Sequence, residues 1–247
     1  MMQEAAAVFV AKANATSLGK RYAVVSSSSL DGKRDQNSLV LLSRRYFDAA
    51  SVHEHTAAVM ATFDKATPVA NGDLLVISAT DVFGRRYLLA SFHGDTNGLA
   101  TLPVLAAVHA LAQLLPSHRL VFGLDANTYE HGSGSKQGVV EFGQDFVSKG
   151  YSSCWGDAPD PSNHTTFNAR TFLQPQLQKA AKSTEKAGKG DKNPKDFILF
   201  PRAAYSVVAT TKDNTGRRQY TEGMVFPTLQ FPSDHGLVAT TLREVSS

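Results

Sequence analysis

Short apolar, β-rich runs separated by polar turn residues dominate the first part of the chain, and they predict β-hairpins. The four runs are 21–29 (RYAVVSSSS), 37–47 (NSLVLLSRRYF), 72–80 (GDLLVISAT) and 84–94 (GRRYLLASFHG). Between the first two runs, Asp31-Gly32 is a dipeptide typical of a tight hairpin turn. Residues 81–84 (DVFG) have turn composition between the other two. We therefore predict two antiparallel hairpins.

The spacing of apolar residues changes to that of an amphipathic helix between Thr101 and Leu115, with Pro103 near its start. Residues 136–149 predict a second amphipathic helix, and the alanine-rich residues 4–14 predict another. Further strands are expected at 119–127 (RLVFGLDAN), 196–201 (DFILFP), 205–210 (YSVVAT) and 235–244 (HGLVATTLRE).

This mixture of hairpins and helices predicts an α/β or α+β domain with a mixed or largely antiparallel sheet. The seven or eight expected strands favour one domain with two packed sheets, residues 1–247, over two small domains. One segment departs from the pattern, because residues 179–195 (KAAKSTEKAGKGDKNPK) carry six lysines and no large hydrophobic residue. We expect that segment to be a flexible insertion within the domain.

Charge and cysteine content limit the possible functions and locations but do not select one. The net charge is +3, from 25 Lys and Arg against 22 Asp and Glu. That is less than a dedicated nucleic-acid binder usually carries, but it suits an anionic substrate. The single cysteine, Cys154, excludes an intramolecular disulfide and favours a reducing, intracellular location. No apolar run approaches the roughly 20 residues of a membrane span.

Polar side chains that could carry chemistry lie at the ends of apolar strands, where function usually collects. They are His93, Asp125, Asn127, Asp196, Asp234 and His235. Structural explanations exist for each: Asp125 and Asn127 can form an Asx turn, and a lone histidine such as His93 is more often structural. The functional explanation is that the i, i+2 spacing directs the Asp125 and Asn127 side chains to one side of an extended chain. A carboxylate on one nitrogen of a histidine also makes the other nitrogen a better base.

Two other polar groups favour structural explanations. His53-Glu54-His55 has zinc-compatible residue types but lacks the His-Glu-x-x-His spacing, so the start of a helix explains it better. Asp95 and Asn97 fit ordinary turn chemistry.

The order of the motifs is more specific than any one of them. Along the chain come Gln-Glu, His, Gly-x-Asp-x-Asn, Asp-aromatic-Ile and, at the last strand, Ser-Asp-His. This succession resembles the endonuclease/exonuclease/phosphatase superfamily of magnesium-dependent phosphoesterases. That superfamily includes deoxyribonuclease I, apurinic endonucleases, deadenylases, sphingomyelinases and inositol-polyphosphate 5-phosphatases. The resemblance spans residues 3–240, although "GLDAN" departs from the commoner Gly-Asp-x-Asn by an inserted leucine, and "HTTFNARTFLQPQL" is similar to deadenylase-like members.

The resemblance implies a four-layer α/β sandwich like that of deoxyribonuclease I, in which helices flank two packed mixed or antiparallel sheets. It implies a Mg²⁺ site, for which Mn²⁺ is expected to substitute, because hard divalent cations prefer carboxylate, carbonyl and water oxygens. The metal ligands implied by the matching motifs are Glu4, Asp125, Asn127 and Asp234.

The resemblance also implies catalytic roles. His93 would contact the scissile phosphate, and Asp125 and Asn127 would position the attacking water and the phosphoryl oxygens. Asp196 would orient His235, which would either take the proton of the attacking water or stabilise the pentacovalent state when protonated.

Family members carry a first strand ending in asparagine ahead of the Gln-Glu motif, whereas only three residues precede Glu4 here. We therefore expect this chain to be N-terminally truncated relative to the family. The expected loss is the first strand together with one partner of the metal site.

The favoured function is Mg²⁺-dependent hydrolysis of a phosphodiester in nucleic acid, by a nuclease or deadenylase-like enzyme acting as a monomer. One alternative within the enzyme class is an inositol or lipid phosphatase or a sphingomyelinase-like phosphodiesterase. Another is a catalytically impaired domain that binds polyanions or a partner, because the first motif is missing. The sequence leaves the substrate and endo or exo action open.

Overall fold

The computed structural model describes residues 10–13, 15–30, 37–167 and 191–245, and the backbone of residues 2–4. The strands of this part of the chain are β1 Met2–Glu4, β2 Tyr22–Ser26, β3 Asn37–Ser43, β4 Phe47–Glu54, β5 Leu74–Asp81, β6 Arg86–His93, β7 His118–Asp125, β8 Tyr151–Ser153, β9 Asp196–Pro201, β10 Tyr205–Asp213 and β11 Leu237–Glu244. The helices are α1 Ser17–Arg21, α2 Thr56–Met60, α3 Thr101–Leu114 and α4 Val139–Ser148, and residues 10–13 are also helical.

A six-stranded mixed sheet forms the centre of the fold. Its strand order is β4-β5-β6-β7-β9-β8. The β6–β7 pair is parallel, and the other pairs are antiparallel. Strands β1-β3-β2 form a second, antiparallel sheet, and β10 and β11 form a two-stranded ribbon. The predicted hairpins β2–β3 and β5–β6 are confirmed, although the turn at Asp31-Gly32 lies outside the described residues.

Strand β5 is buried on both faces, because the central sheet lies between two apolar layers. Leu74 and Val76 belong to the larger core, which also contains side chains of α3 and α4 such as Val104 and Phe142. The alternate residues of β5, such as Ile77, pack in a second core with side chains of β2 and β3. Side chains alternate along a strand, so one strand serves both cores. The predicted α/β sandwich of packed sheets flanked by helices is confirmed.

The helix predicted at residues 4–14 is wrong at its start. Residues 2–4 form strand β1, with Glu4 in register with Asn37 of β3, and only residues 10–13 of the predicted range are described as helical. Residues 5–9 and 14 lie outside the described part. Sheet pairing with β3 therefore holds Glu4 in a strand and not in a helix.

Strands β4 and β8 were not predicted. The His53-Glu54-His55 motif spans the end of β4 and the residue preceding α2, so the helix start predicted there is confirmed. The Glu54 carboxylate accepts hydrogen bonds from Ser27 Oγ at 2.6 Å and Ser28 N at 2.9 Å. In the described part of the chain, no group of metal-ligating side chains gathers around this motif.

Residues 179–190 of the lysine-rich segment lie outside the described part of the structure. The last five residues, 191–195, are described. Lys195 is buried, and its ammonium lies 2.7 Å from the Asp191 carboxylate. The flexibility of the whole segment remains an expectation.

None of the helices in the described ranges has the length and apolar character needed to cross a bilayer.

Asp213 closes the turn that follows β10 and leads toward His235. Its Oδ1 accepts hydrogen bonds from Thr215 N at 2.7 Å and Gly216 N at 2.9 Å, and its Oδ2 accepts one from Arg218 N at 2.9 Å. Burial disfavours the carboxylate, but these hydrogen bonds outweigh burial and lower the pKa of Asp213 to about 2.

We predict that Asp213→Asn lowers the free energy of unfolding by about 1–2 kcal/mol at pH 7, because an amide nitrogen cannot accept the Arg218 hydrogen bond. The folded-state pKa lies below the usual value near 3.9, so the carboxylate stabilises the fold above that value. This contribution disappears as the pH falls toward 2. Urea unfolding of both proteins across this pH range would measure it.

The control for this prediction is Asp157→Asn, which removes a half-exposed carboxylate with only a distant arginine partner, Arg202, at 3.9 Å. We expect little change in unfolding free energy for this variant at any pH. A difference between Asp213→Asn and the parent protein that stays constant from pH 7 to pH 2 would contradict the assignment.

Candidate active site

The pairing of three strands brings polar side chains to one edge of the central sheet. His93 ends β6 and is in register with Asp125, which ends the parallel strand β7. Asp196 begins the antiparallel strand β9 and is the register partner of Asp125. Two carboxylates and an imidazole, far apart in sequence, therefore occupy neighbouring positions at this edge.

His235 lies between the two carboxylates. Its Nδ1 is 2.9 Å from Asp196 Oδ2 and 3.1 Å from Asp196 Oδ1, and its Nε2 is 3.8 Å from Asp125 Oδ2. One ligating atom from each of Asp125, Asp196 and His235 lies within 4.8 Å of the others. In the described chain this is the one group of three or more His, Cys, Asp and Glu side chains close enough to hold a metal ion.

The pKa values of these residues reflect their mutual interaction. Burial disfavours the imidazolium form of His235. Attraction to the carboxylates of Asp196 and Asp125 has the larger effect and raises the pKa of His235 to about 10. Burial raises the pKa of Asp125, and the positive charge of His235 opposes that shift. A cation near Asp125 and Asp196 thus stabilises two carboxylates that would otherwise repel each other.

His93 approaches Asp125 from the other side. Its Nε2 is 3.9 Å from Asp125 Oδ2, and its Nδ1 is 4.0 Å from Asp73 Oδ1. His93 Nδ1 is buried and makes no hydrogen bond to the described residues. Asp73, which precedes β5, was not among the predicted site residues. Two imidazoles thus flank the same oxygen of Asp125.

Asn127 takes part in an Asx turn and also presents a polar atom to the site. Its backbone N donates to Asp125 Oδ1 at 2.9 Å, which is the predicted Asx turn. Its Nδ2 donates to Gly94 O at 2.9 Å and to Asp125 Oδ2 at 3.1 Å. Because both amide hydrogens are used, the Oδ1 of Asn127 is the atom left to accept a hydrogen bond or to ligate a cation.

Two segments that the sequence analysis did not assign to the site hold Asp196 in place. Thr165 Oγ1 accepts from Lys195 N at 2.9 Å and from Asp196 N at 3.1 Å. Trp155 Nε1 donates to Asp196 O at 2.8 Å. Thr165 belongs to the "HTTF" stretch that marked the family resemblance, which is the one sequence signal that could have identified it.

Hydrogen bonds also join the two ends of the chain segment 168–190. The Asn193 carbonyl accepts from Thr165 N at 3.0 Å and from Thr166 N at 3.2 Å, and Asn193 N donates to Thr166 Oγ1 at 3.0 Å. We call this set of contacts the Thr165–Asn193 clamp.

The remaining predicted metal ligands lie outside the described cluster. Asp234 is half-buried and next to His235 in sequence, but it does not belong to the group that includes Asp125 and Asp196. Only the backbone of Glu4 is described. The donors that are present, the Asp125 carboxylate and Asn127 Oδ1, are hard oxygen ligands, and they fit Mg²⁺ better than a thiophilic metal.

Glycine is required where the loop after β6 passes the Asp125–Asn127 turn. A Cβ on Gly98 would lie 2.7 Å from Asn127 O and 2.8 Å from Ala126 O, and Gly98 has a φ of +70°. Gly84, in the β5–β6 turn, has a φ of +80° but no atom within 4 Å of a built Cβ.

We predict that Gly84→Ala costs about 1–2 kcal/mol of unfolding free energy from its positive φ alone. Gly98→Ala should cost about 1–3 kcal/mol more, because backbone atoms of the site must also move. The difference in unfolding free energy between the two variants, measured by chemical denaturation, gives the steric cost of a side chain at Gly98. Equal losses would show that the loop after β6 does not contact the turn closely.

The sequence matches no family model, and a search of curated proteins gives no significant match. Solved structures, in contrast, match almost the whole chain. D. rerio TDP2 complexed with a single-strand DNA product superposes with a TM-score of 0.57 at 12% identity, covering 98% of this chain and 84% of that one. A mannosyl-6-phosphatase from Bacteroides thetaiotaomicron gives 0.56 at 16% identity, covering 98% and 83%. An endonuclease/exonuclease/phosphatase family protein from the same organism gives 0.52 at 16% identity, covering 92% and 76%.

These similarities define the class of fold. The chain has the α/β-sandwich fold of the endonuclease/exonuclease/phosphatase superfamily, as the resemblance of its motifs predicted.

Proposed function

We propose that the protein is a phosphoesterase that hydrolyses a phosphodiester in nucleic acid. The observation that carries this proposal is the placement of His235 between Asp196 and Asp125, with Nδ1 2.9 Å from one carboxylate and Nε2 3.8 Å from the other. A histidine that is oriented by one carboxylate and faces a second one is suited to proton transfer at a water molecule or, in the protonated form that its raised pKa favours, to stabilising the pentacovalent state.

The proposed roles follow from the positions of the side chains. Asp196 fixes the ring of His235 through Nδ1, so that Nε2 faces the space beside Asp125. Asp125 and Asn127 position the attacking water there. His93, with its Nε2 3.9 Å from Asp125, is placed to donate a hydrogen bond to a phosphoryl oxygen in the same space.

Glu4, Asp125, Asn127 and Asp234 are the proposed ligands of Mg²⁺, for which Mn²⁺ would substitute. Bound there, the ion would neutralise charge that develops on the phosphate. The four residues would themselves anchor this cation to strand β1, to the end of β7 and to the loop before β11.

Three considerations support nucleic acid as the substrate, and a monomer is the proposed active form. The net charge of +3 suits a polyanion. Lys136 and Lys195 lie near Tyr129, two residues beyond Asn127, with their Nζ atoms 4.1 Å and 5.7 Å from the ring centroid. The same fold holds a single-strand DNA product in D. rerio TDP2.

We predict that His235→Ala lowers kcat for a generic phosphodiester in Mg²⁺ by about 10²–10⁴-fold, because proton transfer by a positioned side chain contributes that much. Asp125→Asn should lower kcat at least as strongly. The matched control is His53→Ala, which removes an exposed histidine on β4 and should leave kcat unchanged. Full activity of both site variants would contradict the proposal.

We predict that removal of divalent cations with EDTA abolishes hydrolysis and that Mg²⁺ or Mn²⁺ restores it. Glu4→Gln should raise the Mg²⁺ concentration for half-maximal activity about tenfold or more, since it removes a charged oxygen ligand. Glu141→Gln, on the exposed side of α4, is the control. Calorimetry of Mg²⁺ binding should show the same difference between these two variants.

A substrate panel of oligo(A), single-stranded DNA, sphingomyelin and inositol phosphates distinguishes this proposal from the lipid and inositol alternatives. Tight RNA binding without Mg²⁺ binding or hydrolysis would instead support a non-catalytic polyanion-binding domain.

A further inference from the structure

A cleft of about 500 Å³ is lined in part by Trp155, whose indole nitrogen donates a hydrogen bond to the backbone oxygen of Asp196. Trp155, Asn163, Lys212 and Glu222 contribute the side chains that matter most for a ligand. The volume lies within the range of small-molecule sites in proteins. None of the roles proposed above for catalysis uses these residues.

Trp155 forms an aromatic wall of the cleft and connects it to the active site. Its indole Nε1–H is fixed by the hydrogen bond to Asp196 O. Its ring packs in part against the larger core and in part lines the cleft. A planar ring in the cleft could therefore stack on an indole whose position is already fixed.

Lys212 supplies a cation that is incompletely paired. Its Nζ donates to His164 O at 3.1 Å and lies 4.0 Å from the centre of the Tyr220 ring. The carboxylate nearest to it in the described chain is Glu222, at 3.7 Å. The side chain of Glu222 is 80% exposed, whereas that of Lys212 is 13% exposed. Burial lowers the pKa of Lys212 and so disfavours its ammonium form, which an anion bound beside Nζ would stabilise.

Asn163 adds hydrogen-bonding capacity with both donors and an acceptor. Its backbone N donates to Asp160 O at 3.0 Å, but its side chain makes no hydrogen bond to another described residue. Asp160, in contrast, uses its carboxylate within the loop, where Oδ1 accepts from Ser162 N at 2.8 Å and Ser162 Oγ at 2.7 Å. The available groups are thus a ring face, an amide and an ammonium.

We propose that this cleft binds one nucleotide unit of the substrate, next to the phosphodiester that is cleaved. The base stacks on Trp155, the Asn163 amide reads polar groups of the base or sugar, and the phosphate pairs with Lys212. The identity of the larger substrate rests on the proposed function. Ligand binding to the cleft can be tested without hydrolysis.

Glu222 is the competitor of the phosphate for Lys212. An ion pair with so exposed a carboxylate contributes little stability, so a ligand phosphate can displace it. Removal of its charge should therefore strengthen binding of a phosphate-bearing ligand, which a purely structural role of Glu222 would not produce.

Trp155 is the single tryptophan of the chain, so its fluorescence reports directly on the cleft. We would titrate the full chain in EDTA with AMP, adenosine, ribose 5-phosphate and inorganic phosphate. AMP is expected to quench the emission saturably and more tightly than the other three compounds. The absence of saturable quenching by AMP, or equal affinity for ribose 5-phosphate, would overturn the proposal.

Variants assign the binding to the cleft. Lys212→Met should weaken AMP binding about tenfold and leave adenosine binding unchanged, whereas Glu222→Gln should tighten AMP binding up to about fivefold. Asn163→Ala should weaken both AMP and adenosine binding. Lys149→Met is the matched control, since that lysine is also largely buried and pairs with a carboxylate, that of Asp145, but lies outside the cleft. AMP affinity that is the same in Lys212→Met and Lys149→Met would refute the site.

The outcomes separate this inference from the proposed function. Saturable AMP binding without any phosphodiester hydrolysis would support the cleft and contradict the catalytic proposal. Hydrolysis that requires His235, together with unresponsive Trp155 fluorescence, would support the catalytic proposal and overturn the cleft.

Discussion

The active-site edge of this protein depends on the interaction of one imidazole with two carboxylates. Asp125 and Asp196 are register partners on adjacent strands, so the backbone holds their charges close in any side-chain rotamer. Two carboxylates at such a distance, partly removed from water, require a positive group between them. His235 provides it, and the loop that carries His235 must therefore return from β10 to this edge. The turn closed by Asp213 begins that return.

The layers of the fold keep this edge rigid. Because β5 is buried on both faces, the central sheet cannot shift relative to the helices or to the sheet containing β3 without disturbing two cores. Gly98 then allows the loop after β6 to pass directly against the Asp125–Asn127 turn. The side chains that are proposed to act on substrate thus stand on the ends of supported strands, with backbone contacts that fix the turns between them.

The sequence predicted the hairpins, α3, α4 and the sandwich because these elements are rich in apolar residues that the fold buries. It failed at Glu4, which pairs with Asn37 of β3 where a helix was predicted to begin, and at β4, whose mostly exposed residues give no clear alternation. Motif order identified Asp125, Asp196 and His235 as candidates. It could not reveal Asp73 or Trp155, whose contacts with the site arise from chain segments brought together only in three dimensions, and only the "HTTF" stretch pointed to Thr165.

The Thr165–Asn193 clamp has a consequence for the evolution of the chain. It holds Thr166 and Asn193, two described residues on either side of 168–190, at hydrogen-bonding distance from each other. Because loop-closure entropy grows slowly, each doubling of the length between such points costs only about 0.6 kcal/mol. Insertions and deletions between the two anchors can therefore accumulate with little effect on Asp196. This would leave the region free to diverge in length and composition among descendants of one ancestral gene while the chemistry beside it is preserved.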